Sequence, residues 1–178
     1  MNNDLHTGGR STGEGDLHGR ALLASKKTLK EILEVATAFE RTAHEFYTAL
    51  IPRVSKRIRY LVEELAAEEL EHVRLFTDLA ASPDIAGEIS REIVTPVDDS
   101  IFSSYVHPPK LDESPDQRTI LQYALFREYA AMDQYRELAL NTEPGPVHDL
   151  FLYLANEEAR HKRELEKIHD RIVRREGV

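Results

Sequence analysis

Two stretches of this chain carry the same short pattern, and the duplication narrows the folds open to it. Glu69-Leu70-Glu71-His72 lies within LAAEELEHVRLF, and Glu158-Ala159-Arg160-His161 lies within LANEEARHKREL. Residues three apart on an α-helix share a face. Each copy therefore projects one carboxylate and one imidazole in the same direction. Each is preceded by a further glutamate, Glu68 or Glu157. A carboxylate–imidazole pair on each of two helices is what a two-metal site in a helical bundle needs, provided two neighbouring helices supply the remaining carboxylates.

Apolar periodicity predicts those four helices. Leu29, Ile32, Leu33, Ala36, Phe39, Glu40, Ala43, Phe46, Tyr47 and Leu50 follow a 3–4 spacing, opened by a capping box at Thr28 and Glu31 and ended at Ile51-Pro52. A second stripe runs through Leu61, Leu65, Glu69, His72 and Phe76 to Ser82-Pro83. Ser114-Pro115-Asp116-Gln117 reads as a helix start with Ser114 as the cap. The stripe that follows carries Leu121, Ala124, Glu128, Ala131, Tyr135 and Leu138. After Glu143-Pro144-Gly145-Pro146, a fourth stripe carries Leu150, Leu154, Glu158, His161 and Leu165. The expected helices span roughly 28–51, 54–81, 115–141 and 146–175, so the fold class is all-α.

The connection over 83–114 is too long for a hairpin loop. With a short helix near Asp84–Ile93, it suits a crossover along a bundle ~40 Å long, at ~3.3 Å per extended residue. Residues 1–20 hold five of the eight glycines and few apolar residues, and they read as a disordered tail that includes His6 and His18. The folded domain is expected over 21–178.

The halves repeat. Glu40 precedes Glu69 by 29 residues, and Glu128 precedes Glu158 by 30. Glu40-x-x-Ala43-x-x-x-Tyr47 matches Glu128-x-x-Ala131-x-x-x-Tyr135. The midpoints of the two glutamate pairs fall just after Pro52 and beside Pro144-Gly145-Pro146. In an antiparallel hairpin, residues equidistant from the turn face each other. Glu40 should therefore meet Glu69, and Glu128 should meet Glu158.

Four carboxylates and two imidazoles thus fall on core positions of four helices. Left unpaired there, the carboxylates would protonate or force the helices apart. No Lys or Arg falls on the four stripes, so two divalent cations are the expected counter-charge. Oxygen and nitrogen ligands without thiolate suit iron or manganese, with zinc able to compete. The chain has no cysteine, which excludes disulfides, thiolate zinc sites and iron–sulfur clusters within it. Its net charge of −9 argues against nucleic acid as a partner. The absence of an apolar signal core and of any run approaching a membrane span makes the cytoplasm the expected location.

Tyr47 and Tyr135 lie on the ligand faces about two turns away and read as buried groups behind the ligands. His44, four residues after Glu40, reads as an ordinary edge histidine. Glu68, Glu71 and Glu157 read as solvated, with Glu68 an alternative ligand because it is four residues from His72.

FERTAHEFY, LAAEELEHVRLF, ALFREYAAMDQYREL and LFLYLANEEARHKREL resemble the four core helices of the ferritin-like superfamily, and most resemble its rubrerythrin branch, over about residues 28–175. The resemblance implies an antiparallel ferritin-like four-helix bundle of two similar hairpins joined by a long crossover. It also implies a di-iron centre liganded by Glu40, Glu69, His72, Glu128, Glu158 and His161. Rubrerythrins proper add a four-cysteine rubredoxin domain and a second carboxylate on the third helix. Here the latter positions are Ala131 and Leu125. The six-ligand set resembles that of bacterioferritin, but Leu70 stands where a haem-binding methionine would be, so no haem is expected.

The function expected from this set is reduction of hydrogen peroxide or dioxygen with oxidation of Fe(II), in the manner of a peroxidase or ferroxidase answering oxidative stress. An external protein would donate electrons, and a homodimer is the family-level expectation. The alternative is iron storage or handling, with a di-iron hydroxylase a third reading.

Overall fold

The computed structural model describes residues 14–92 and 109–176. In chain order its helices are α1 (Leu17–Ala24), α2 (Leu29–Leu50), α3 (Arg59–Ala81), α4 (Ile85–Glu92), α5 (Gln117–Leu140) and α6 (Pro146–Glu176). No strand occurs among the described residues. No helix among them is long and apolar enough to cross a membrane.

The frame is a four-helix bundle. α2 packs along α3, and α5 packs along α6. The core falls into two apolar clusters, and the order in which each helix visits them fixes its direction. α2 runs from Ile32 and Phe39 in the first cluster to Tyr47 and Leu50 in the second, and α3 returns from Leu61 and Leu65 to Phe76 and Leu79. α5 runs from Leu121 and Leu125 back to Ala131 and Leu138, and α6 runs from Leu150 and Leu154 to Leu165. Each hairpin is therefore antiparallel, while α3 and α5 point the same way. The chain between them must travel the length of the bundle, as a crossover does. Residues 93–108 of that crossover lie outside the described residues. The short helix expected at its start is α4, which packs on α6 and α3 through the buried Ile89.

Between the two apolar clusters lies one layer of acid. Glu40, Glu69, Glu128 and Glu158 are each only 2–4 % exposed. Each large aliphatic or aromatic side chain buried above and below contributes roughly 1.5–3 kcal/mol, and that burial holds the acidic layer together.

Local signals set the helix ends. Thr28 forms the expected capping box: its hydroxyl oxygen accepts from the Glu31 amide at 3.2 Å, and Glu31 Oε2 accepts from the Thr28 amide at 3.1 Å. Two expected boundaries are corrected. α3 begins at Arg59 rather than 54, because a 3₁₀ turn at Ile51–Arg53 is followed by a turn in which the Ile58 amide donates to the Ser55 carbonyl at 3.2 Å. α5 is capped by Asp116, not Ser114. The Asp116 carboxylate accepts from the Thr119 amide at 2.8 Å, and Pro115 is buried outside the helix.

The expected tail boundary at residue 20 is also corrected. Residues 1–13 lie outside the described residues, but residues 14–20 fold onto the bundle. Asp16 caps α1 by accepting from the Gly19 amide at 2.7 Å. Leu23 is buried in the first core cluster, and Arg20 pairs with Glu137 of α5. α1 packs against α5 and α2. His18 is exposed, as expected.

Candidate metal centre

The hairpin register places the four core glutamates as the turn midpoints predict. Glu40 contacts Glu69 within hydrogen-bonding reach, and Glu128 contacts Glu158. The two motif histidines meet between the hairpins, with ring centroids 4.9 Å apart at 75°. His72 Nδ1 lies 3.4 Å from Glu40 Oε2, and His161 Nδ1 lies 3.1 Å from Glu128 Oε2. The site has an approximate two-fold pattern: a carboxylate from α2 or α5 beside a histidine from α3 or α6, with Glu69 and Glu158 alongside. Donor atoms of Glu69, His72 and His161 lie within 4.8 Å of one another, and so do those of Glu40, His72 and Glu158.

The chemistry of these donors fits cations. Glu40 Oε1, Glu69 Oε1, Glu158 Oε1 and His72 Nδ1 are buried without a hydrogen-bond partner. An unsatisfied buried acceptor costs about 1–3 kcal/mol, and more when charged. Burial, then the charges of Glu14, Glu158 and Glu69, push Glu40 well above the usual carboxylate range. Burial, Glu128 and Glu14 do the same to Glu158, and burial with Glu128 raises Glu69. Burial alone would raise Glu128 too, but the charge and hydrogen bond of His161, with Glu158 and Arg127, hold it at about 2. Burial opposes charge on His161, yet Glu128 and Glu68 raise it well above the ordinary value. His72 is lowered to about 4 by burial and by the charge of His161.

Several residues around the layer differ from the sequence expectation. His161 donates through Nε2 to Glu68 Oε2 at 2.8 Å, so Glu68, 38 % exposed, is a hydrogen-bond partner of the site rather than a solvated bystander. Glu157 is largely buried and pairs with Arg160 at 2.5 Å. Glu71 is exposed and pairs with Arg74. His44 Nδ1 donates to the Ala66 carbonyl at 2.7 Å, tying α2 to α3. Tyr47 and Tyr135 are fully buried with unpartnered hydroxyls. The charges of Glu69 and Glu128 act on Tyr47, and those of Glu14, Glu158 and Glu40 act on Tyr135.

Cationic side chains placed off the four stripes nonetheless lie largely buried near the layer. Arg127, whose side chain is 12 % exposed, lies with its guanidinium 5.7 Å from the Tyr47 ring centre and its charge acting on Glu69 and Glu128. Lys162 is buried as well, 3.3 Å from Glu166. Arg127 is one position from Glu128 and so stands off the apolar stripe, but its long side chain reaches round the helix. Its partner is Glu14, from the segment expected to be a tail: Arg127 Nη2 lies 3.3 Å from Glu14 Oε2. Arg127 therefore faces both Glu14 and the acidic layer, where its charge acts on Glu69 and Glu128. The signal for Glu14 in the sequence is slight, an Asp16 cap ahead of Leu17, Leu22 and Leu23.

The Rubrerythrin family model matches this chain over residues 31–100 and 119–177, well over half its length. No curated protein and no solved structure matches it significantly. The chain belongs to the rubrerythrin family, whose ferritin-like four-helix bundle is the architecture described above and whose membership implies iron binding.

Proposed function

We propose that this member of the rubrerythrin family is a di-iron oxidoreductase that reduces hydrogen peroxide or dioxygen as Fe(II) is oxidised. The observation that carries the reading is the acidic layer, where carboxylates and imidazoles from all four long helices converge with buried, unpartnered donor atoms. Glu40, Glu69, His72, Glu128, Glu158 and His161 would hold the two cations. Bound iron would supply two electrons, one from each ion, and a Lewis acid for reduction of the oxidant's O–O bond.

The chain's own residues set the conditions. Glu68 accepts the Nε2 proton of His161, which leaves Nδ1 as the ring nitrogen facing the centre. Through the same contact, the half-exposed Glu68 links the buried layer to bulk water for proton exchange. The apolar clusters above and below exclude water from the layer. Tyr47 and Tyr135, both raised well above the ordinary phenol value by burial first of all, stay protonated and keep an O–H beside the ligands. A separate donor protein would serve as reductant.

The test is direct. Protein loaded anaerobically with two Fe(II) should consume one peroxide for every two Fe(II) oxidised. A loaded sample that reduces neither peroxide nor dioxygen would overturn the assignment.

A further inference from the structure

Glu14 comes from outside the four-helix frame and is buried against Arg127, next to the centre's Glu128 in the chain, and four observations describe how. α1 packs against α5 and α2, the helices that carry Glu128 and Glu40. Gly15 adopts φ +71°, and a Cβ there would come within 2.6 Å of the Ala130 Cβ and 3.2 Å of the Ala131 amide nitrogen. Only a glycine can therefore lie so close over α5 in this conformation. Behind that contact the Glu14 side chain is 7 % exposed. Its Oε2 meets Arg127, while its Oε1 is buried with no partner.

A carboxylate that served only to neutralise Arg127 would be expected to engage it with both oxygens. Here one oxygen is spare, and Arg127 Nη1 is unpartnered too. The charge on Glu14 is also the largest charge influence on Glu40, ahead of Glu158 and Glu69, and it acts on Glu158 and Tyr135.

We propose that Glu14 is a fifth carboxylate of the metal centre, brought by the N-terminal segment over α5 toward the acidic layer. The inference rests on reading the acidic layer as a two-cation site. Its ligand class is a divalent transition-metal ion. Gly15 and the Arg127 pair are the devices that position the carboxylate.

Cobalt(II) is the probe, because its visible absorption reports the ligand set without turnover. The full-length wild-type protein should bind two Co(II). Glu14→Gln should weaken one of them at least about 100-fold, beyond the range typical of lost supporting contacts, and change its visible band. Gly15→Ala keeps the carboxylate but displaces the segment, and it should produce the same change. If both variants keep the helical circular dichroism and bind both ions with wild-type affinity and band, the inference is overturned and Glu14 is only the counter-ion of Arg127. If Glu14→Gln does not fold, Gly15→Ala alone decides. A wild-type protein that binds no Co(II) would instead remove the two-cation reading itself, so the two failures are distinguishable.

Discussion

His72 and His161 stand with ring centroids 4.9 Å apart, one from each copy of the repeated motif. Their helices belong to different hairpins, so this contact joins the halves of the molecule at the acidic layer. His72 has an unpartnered Nδ1 toward Glu40, whereas His161 carries a carboxylate on each ring nitrogen. Two equivalent sequence positions thus have different surroundings: Glu128 engages His161 Nδ1 where Glu40 leaves His72 Nδ1 unpartnered, and Glu68 adds a partner at His161 Nε2.

His72→Ala and His161→Ala should each remove one cation of two, with affinity at the altered position falling at least about 100-fold, beyond the usual effect of a lost supporting contact. Metal content after dialysis checks this. Two ions retained by either variant would mean that the histidines are not ligands.

The metal-free protein should lose stability as pH rises from 6.5 to 8. A group whose folded pKa exceeds its unfolded value binds more protons when folded, and its contribution disappears as pH climbs through the folded value. Glu14, raised to about 8 by burial, acts in this direction across the window, as do Glu40, Glu158 and His161, each raised well above its ordinary value. Glu128 at about 2 titrates below it, and His72, lowered to about 4, opposes the trend only at the lower edge, where its unfolded imidazole still binds protons. Metal binding displaces ligand protons, so added Mn(II) should reverse the trend. Melting temperatures with EDTA should fall across the window, and those with Mn(II) should rise. A flat EDTA curve would contradict the burial of these groups.

Glu158→Gln should raise the stability of the metal-free protein while lowering its metal capacity. It replaces a carboxyl whose ionisation is opposed by burial and by Glu128 with an uncharged amide, at almost no change in volume. A gain of about 1–3 kcal/mol at pH 8 is expected, read by urea denaturation in EDTA, together with loss of one bound ion.

Arg127→Gln should cost about 3–5 kcal/mol, because it leaves Glu14 buried without its partner. The double variant Glu14→Gln, Arg127→Gln should recover most of that loss. Additive effects across this cycle would mean that the ion pair contributes nothing.

The bundle and the six central residues were legible because a helical stripe records which face is inward, and the equal spacing of Glu40–Glu69 and Glu128–Glu158 fixes who meets whom. Glu40, Glu69, Glu128 and Glu158 accordingly fall in one layer. The other residues depend on information that periodicity does not carry. Arg127 sits off the stripe and reaches inward by length. Glu68 is exposed on one side and bonded to His161 on the other. Glu14 follows a glycine-rich stretch whose composition hides a capped helix. The cap of α5 went to Asp116 because side-chain reach to Thr119, not the Ser-Pro pattern, decided it.

The placement of an acidic sheet of side chains between two greasy halves has a bearing on how long such a chain persists. Ligands that bind only the native form deepen its well in proportion to the logarithm of their free concentration. Digestion by a protease that attacks opened molecules samples that depth. Lifetime in the presence of a protease should therefore lengthen as free iron rises, so that the molecules which endure are the charged ones and the empty ones are cleared first.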